Sequence, residues 1–346
     1  MSEPQGNLRR MRRLATVLAL ATAVSAVAQT KYGNTDAITQ ARLKAHLEFV
    51  AHDLLEGRGT PSRGLDLACE YVATQLKLWG AKAAGDNGTF FQKFEIPGSP
   101  ADNKQYTQNV VAIIPGSDPV LSKEYVAIGA HIDHVGMGQG SGDQIFNGAD
   151  DDGSGTVAML EMAHAFLTGT SKTKRSILFV WHAGEERGLW GSAHYANNPT
   201  VPINSIIAQL NIDMIGRSRP VGDNKDSNKM LTGPDSIYVV GSNRLSTELG
   251  KVLGDVNRGL YNLKYDYHYD EPNDPENIYM RSDHYNYAVK GIPIAFWFDG
   301  VHEDYHQVSD HVDRIDFRKL ERVSRTIFAS AHFLANRTTR PKVDEK

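Results

Sequence analysis

Six short apolar runs mark the middle and end of the chain, each bounded by glycine, proline or asparagine. They are QNVVAIIPG, EYVAIGAH, RSILFVWHAGEE, SIIAQLNIDMIG, SIYVVG and GIPIAFWFDG. Each is apolar at successive rather than alternate positions, which predicts strands buried on both faces. Stretches of helical period lie around them. ITQARLKAHLEFVAHDLL and LDLACEYVATQLKLWG come first, separated by the polar, glycine-rich EGRGTPSRG, with Gly80 and Gly85 as stop signals. GSGTVAMLEMAHAFL, LWGSAHYANN, STELGKVLGDVN and DHYNYAVKG fall between strands, and DFRKLERVSRTIFASAHFLA follows the last one. This alternation predicts an α/β fold: a single domain with a mostly parallel central sheet and helices on both faces. The polar stretch from Arg217 to Pro234 reads as a surface loop. The domain is expected over residues 29–340, with a short tail at 341–346.

Composition narrows the class. The chain has 346 residues, 37 basic and 41 acidic, a net charge of −4, and no apolar run long enough for a transmembrane helix of roughly 20 residues. The single cysteine, Cys69, excludes an intrachain disulfide and a cysteine zinc cluster, and its place on an apolar helical face predicts a core position. At the N-terminus, Arg9, Arg10, Arg12 and Arg13 precede the weakly apolar run LATVLALATAVSAVA, which ends in small residues. That order predicts a signal peptide over residues 1–28 and export to the periplasm or beyond. No cysteine follows the apolar run, so no lipid anchor is expected. Removing residues 1–28 takes away four arginines and Glu3, leaving 33 basic and 40 acidic residues, a net of −7. A negative chain without a basic run excludes nucleic acid and anionic lipid as expected partners.

In open parallel sheets, ligands bind at the carboxyl ends of the strands. His131 and Asp133 follow EYVAIGA, Glu185 and Glu186 follow RSILFVW, Asp213 follows SIIAQLN, and Tyr305 and His306 follow GIPIAFWFDG. Asp150, Asp151 and Asp152 sit in NGADDDGSG before a helix. Singly, such residues are ordinary loop ends, and an aspartate run before a glycine is often only a helix N-cap. Together, four strand ends deliver two imidazoles and at least three carboxylates to one edge. That donor set suits a hydrolytic zinc, manganese or cobalt site, and is generous enough for two ions sharing a bridging carboxylate. No HExxH is present. His134, His164, His182, His194, His268, His284, His302 and His311 read as structural or surface positions.

The ordered motifs GAHIDHVG, NGADDDGSG, WHAGEERGLWGS, NIDMIG, SDHYNYAVKGIP and DYHQVSD resemble the successive signatures of the di-zinc aminopeptidase family. That family also contains glutamate carboxypeptidases and glutaminyl cyclases. The intervals of 20 residues from His131 to Asp151, 35 to Glu186 and 27 to Asp213 resemble those of its compact aminopeptidases. The resemblance implies a zinc exopeptidase-like domain holding two Zn2+ ions, other divalent metals being possible. His131 and Asp213 would hold one ion, Glu186 and His306 the other, and Asp151 both. Glu185 resembles the general base, and Tyr279 a tyrosine that stabilises the oxyanion. Asp133 resembles the carboxylate that orients the first histidine, and Ser282 the residue that supports the second. The implied activity is hydrolysis of N-terminal peptide bonds by a zinc-activated water, on peptide substrates. A glutaminyl cyclase-like acyltransferase and a metallocarboxypeptidase are the alternatives, the latter with Arg217 or Arg281 for a substrate carboxylate. The sequence departs from many relatives in lacking the inserted protease-associated domain, since little more than SPADNKQYT occupies that position. It also carries a long aromatic stretch, YNLKYDYHYDEPNDPEN, expected either to contact substrate or to form a surface flap.

Overall fold

A computed structural model describes residues 31–344 apart from Ser171 and Pro272. The expected signal peptide, residues 1–28, lies outside the described residues. The strands in chain order are β1 (Lys82–Ala83), β2 (Phe91–Glu95), β3 (Tyr106–Ile114), β4 (Tyr125–His131), β5 (Gly136–Met137), β6 (Ile145–Phe146), β7 (Ser176–His182), β8 (Ile206–Ile212), β9 (Ser236–Val240), β10 (Lys264–Asp266) and β11 (Ile294–Phe298). The helices are α1 (Gln40–Val50), α2 (Arg63–Trp79), α3 (Gly155–Thr168), α4 (Trp190–Asn197), α5 (Thr247–Leu260), α6 (His284–Ala288) and α7 (Phe317–Asn336).

Among the described residues, nine strands form one sheet in the order β1–β3–β7–β4–β8–β11–β9–β10, with β2 also paired to β3. The four central strands β7, β4, β8 and β11 are parallel to one another. The flanks are mixed: β3 runs antiparallel to β7, and β9 antiparallel to β11. All six apolar runs of the sequence are strands of this sheet, four of them its parallel centre.

Side-chain alternation along β7 shows how the sheet is covered. Ile177, Phe179 and Trp181 enter the larger core, built with α1, α2, α3, α5 and α7. Leu178 and Val180 enter a smaller core on the other face, closed by Tyr195 of α4 and Tyr287 of α6. Burying each such large apolar side chain contributes about 1.5–3 kcal/mol, so both faces must be covered for the strands to hold. Cys69 is buried in the larger core, as its helical position predicts.

Helix starts follow their capping residues. Ser62 Oγ accepts the Leu65 N–H at 3.1 Å to open α2, and Ser246 Oγ accepts the Leu249 N–H at 3.1 Å to open α5. Residues beyond α7 return along α5, where Asp344 accepts the Thr247 N–H at 2.8 Å and Lys342 O accepts the Ser246 hydroxyl at 2.6 Å. The stretch from Arg217 to Pro234 is a loop, but Arg217, Asn228 and Leu231 anchor it inside.

Candidate metal centre

Because β7, β4, β8 and β11 are parallel, their carboxyl ends share one edge, and the chemistry gathers there. His131 is the last residue of β4, and Asp213 follows directly on β8. Glu185 and Glu186 lie in the turn after β7, and His306 in the loop after β11. Asp151 comes from the segment before α3.

His131 Nε2 lies 3.2 Å from Asp151 Oδ1 and 3.5 Å from Asp213 Oδ1. His306 Nε2 lies 3.1 Å from Asp151 Oδ2 and 3.0 Å from Glu186 Oε2. Asp151 thus stands between two histidine–carboxylate pairs and turns one oxygen to each. The turn after β7 splays the two glutamates: Glu186 faces His306, while Glu185 faces His131 and the cavity beside it.

The three consecutive aspartates have three different tasks. Asp150 Oδ1 accepts the Gly216 N–H at 2.7 Å and its Oδ2 meets His302 Nε2 at 3.1 Å. Asp152 accepts N–H groups from His131 (3.1 Å), Gly155 (2.9 Å) and Met214 (3.2 Å), tying the strands that end at His131 and Asp213 to the start of α3. Only Asp151 faces the centre. Its backbone is held from behind, where Asp310 accepts the N–H groups of Asp150 and Asp151 at 3.0–3.1 Å.

Electrostatics follow from this crowding. Burial alone would depress the His131 imidazole, but Asp213 and Glu185 outweigh it and hold its pKa well above the ordinary value. The same contest, with Asp151 and Glu186 as the opposing charges, pushes His306 up to about 10. Burial would raise Asp151, yet His134, His131 and His306 hold it well below the usual carboxylate range. Glu185 moves the other way. Burial lifts its pKa well above normal, and Asp213 and Asp283 add to the rise against His131.

Four carboxylates converge with neutral-capable imidazoles, and Asp151 Oδ2 is buried without a hydrogen-bond donor. Oxygen and imidazole nitrogen donors at this spacing, with no thiolate, fit zinc or a similar divalent cation. A cation there supplies the positive charge that the buried carboxylates otherwise draw from protonated histidines.

Beside the centre is a cavity open to solvent, lined by Met214, Ile278, Phe296, Phe298 and Val301, with Glu185, Arg281 and Tyr305 around it. Tyr305 stacks on His306, ring centroids 4.0 Å apart. Its hydroxyl accepts a hydrogen bond from Arg281 Nη2 at 3.4 Å.

The sequence-predicted residues largely converge, with corrections. Tyr279 does not line the cavity: its ring packs beneath the Arg244 guanidinium, 4.1 Å from the centroid, and against the backbone of Gly241. Ser282 does not support His306. Its hydroxyl accepts from Asn211 Nδ2 at 2.9 Å, ending a chain that begins at Gln209 on the same strand, and it favours the charged form of Asp213. His131 Nδ1 is fixed by the Asp133 carbonyl at 3.1 Å, more closely than by its carboxylate at 3.8 Å. The Asp133 carboxylate instead accepts the Glu185 N–H at 3.2 Å and the Thr60 hydroxyl at 2.9 Å, which positions Glu185.

Arg217 is buried and donates to Asp304 Oδ2 at 2.6 Å, so it braces the His306 loop and faces no substrate. The aromatic stretch packs down rather than over the cavity, with Tyr269 buried against Tyr238 and Phe298. One residue of the cluster was assigned elsewhere by sequence reasoning. His134, expected to be structural or superficial, lies with its Nδ1 2.8 Å from Glu186 Oε1. Its signal was the HIDH spacing: a histidine three residues beyond His131, just past the end of β4.

The sequence pattern of peptidase family M28 matches residues 109–331. A probable leucine aminopeptidase of Arthroderma benhamiae is 28% identical over 315 residues, covering 86% of this chain and 77% of that protein. A zinc aminopeptidase of Bacillus subtilis has the same fold, with a TM-score of 0.65 at 14% identity, covering 85% of this chain and 94% of that one. A glutaminyl cyclase of Porphyromonas gingivalis superposes with a TM-score of 0.62 at 16% identity, covering 85% and 97%.

Proposed function

Because the chain belongs to peptidase family M28, we propose that it is an exported two-zinc aminopeptidase that releases apolar residues from the amino ends of peptides. The observation that carries this reading is Asp151, set between the His131–Asp213 and His306–Glu186 pairs with Glu185 beside them. In it, His131 and Asp213 would hold one ion, Glu186 and His306 would hold the second, and Asp151 would serve both. A divalent cation such as zinc, held by these residues, would supply Lewis acidity for the scissile carbonyl and for a water whose pKa it would lower toward about 7.

The chain's own residues do the rest. Glu185 accepts the proton of the attacking water and returns it to the leaving amine, work that its place between His131 and the cavity suits. The Tyr305 hydroxyl accepts from Arg281, so its own hydrogen is free to donate to the developing oxyanion. Tyr305 takes this role in place of Tyr279. The apolar walls from Met214, Ile278, Phe296, Phe298 and Val301 receive the N-terminal side chain. The likeness to a probable leucine aminopeptidase supports both the amine end and the apolar preference. The leader at residues 1–28 supports export, with residues 29–340 as the catalytic unit. No helix among the described residues is long and apolar enough to cross a membrane.

The test uses the mature chain loaded with zinc, a peptide beginning Gln-Leu, mass spectrometry and a chelated control. Stepwise loss from the amino end, abolished by chelator, is the expected result. Loss of ammonia alone would make it a cyclase. Shortening from the carboxyl end would make it a carboxypeptidase, with Arg281 as the carboxylate receptor.

A further inference from the structure

We infer that His134 is the positioning residue for Glu186: it binds one carboxylate oxygen of Glu186 so that the other is presented to the ion held with His306. This rests on the reading of Glu186 and His306 as ligands.

The two oxygens of Glu186 have different partners. Oε1 lies 2.8 Å from His134 Nδ1, and Oε2 lies 3.0 Å from His306 Nε2. Nδ1 carries the hydrogen in the first contact, since an ionised carboxylate has none to give. His134 is 1% exposed, and its backbone N–H donates to the Arg58 carbonyl at 3.2 Å. Its ring is pinned from a third side by Gly148, where a Cβ would come within 2.5 Å of the imidazole. Gly148 has φ +57°, a conformation that also favours glycine, so backbone shape and ring placement depend on the same residue. The histidine is therefore a fixed donor aimed at a ligand. Glu186 sits in the turn after β7, and a donor on one of its oxygens sets which way the other faces.

The alternative, that His134 is itself a ligand, separates from this one by chemistry. A positioning donor is replaced by asparagine, whose amide NH2 occupies roughly the place of Nδ1. A ligand is replaced by aspartate, which cannot donate to Glu186.

The experiment strips metal from the full mature chain and titrates Zn2+ against a chromophoric chelator, then Co2+ by its visible spectrum. It compares wild type, H134A, H134N and H134D, with the melting temperature of each metal-free protein as a folding check. Wild type is expected to bind two ions. In H134A one of the two affinities falls 10- to 100-fold while the other holds, and H134N recovers most of the loss. Equal affinities in H134A and wild type, with or without a lower melting temperature, would overturn the inference. Recovery in H134D but not in H134N would also overturn it, in favour of direct ligation. Wild type binding fewer than two ions would instead overturn the two-zinc reading on which the inference stands.

Discussion

Arg58 offers the sharpest test of how the centre is held. Its guanidinium is 1% exposed and donates to four carbonyls: Ile132 at 2.9 Å, Val50 at 2.8 Å, Asn147 at 2.7 Å and Gly148 at 2.9 Å. These belong to three segments, the end of α1, the turn after His131 and the approach to Asp151. Burial pulls its pKa down while Asp133 and Asp151 act the other way, and a guanidinium stays charged throughout. Hydrogen bonds from a charged donor contribute about 1.5–3 kcal/mol each, so four amount to roughly 6–12 kcal/mol before desolvation. Taking the charged group out of water costs several kcal/mol of that, so Arg58→Ala is expected to destabilise by about 3–5 kcal/mol. Arg58→Lys keeps a charge but has only three donors on one nitrogen, and should lose about half as much. The assay is urea unfolding in chelator, so that bound metal does not contribute to the midpoint. An Arg58→Ala variant within about 1 kcal/mol of wild type, or a lysine variant indistinguishable from arginine, would refute the reasoning.

Three further expectations concern separate parts of the molecule. Glu161 is buried and accepts from Arg42 Nε at 2.7 Å and meets His46 Nε2 at 3.0 Å; burial would raise its pKa, but these partners hold it below the ordinary value. A depressed folded-state pKa contributes stability that is complete above the unfolded value near 4.5 and fades as pH falls through the folded one. Glu161→Gln should therefore cost about 2 kcal/mol at pH 7, a deficit that narrows once the pH falls below the unfolded value near 4.5 and closes below the folded one, read from unfolding at each pH. Gly64→Ala sets helix propensity, worth about 1 kcal/mol in alanine's favour, against a Cβ placed 1.7 Å from the Leu55 carbonyl oxygen. The contact wins, with a net loss of about 2 kcal/mol expected in the same assay. Tyr305→Phe should lower kcat/KM about 100-fold with metal content unchanged, while Tyr279→Phe stays within a few-fold; the reverse order would return the oxyanion role to Tyr279.

What was legible in the sequence was the frame. Runs such as RSILFVW and SIIAQLN announce strands buried on both faces, and the residues that follow them land on one edge because parallel strands end together. That is why His131, Asp151, Glu186, Asp213 and His306 meet. Antiparallel flanks were not legible, since a strand buried on both faces has the same apolar pattern in either direction. β2 was missed because FQKFE has its two phenylalanines three residues apart, while its buried face alternates through the polar Gln92.

Side-chain aim was the other blind spot. Tyr279 and Tyr305 both lie near the centre in sequence logic, but a short helical turn sends Tyr279 toward Arg244, while the His306 loop sends Tyr305 to the cavity. Ser282, expected beside His306, meets Asn211 of β8 instead for the same reason, and no sequence interval encodes that.

The measurement that tests the central claim most directly is paired zinc content and turnover for Glu185→Gln against wild type. Zinc is counted by elemental mass spectrometry, and turnover on a peptide with an N-terminal leucine. The account predicts full zinc and a fall in kcat of at least 100-fold, since the glutamine keeps the shape of Glu185 but cannot carry the proton. Turnover within a few-fold of wild type would contradict Glu185 as the base, and loss of zinc would make it a ligand instead.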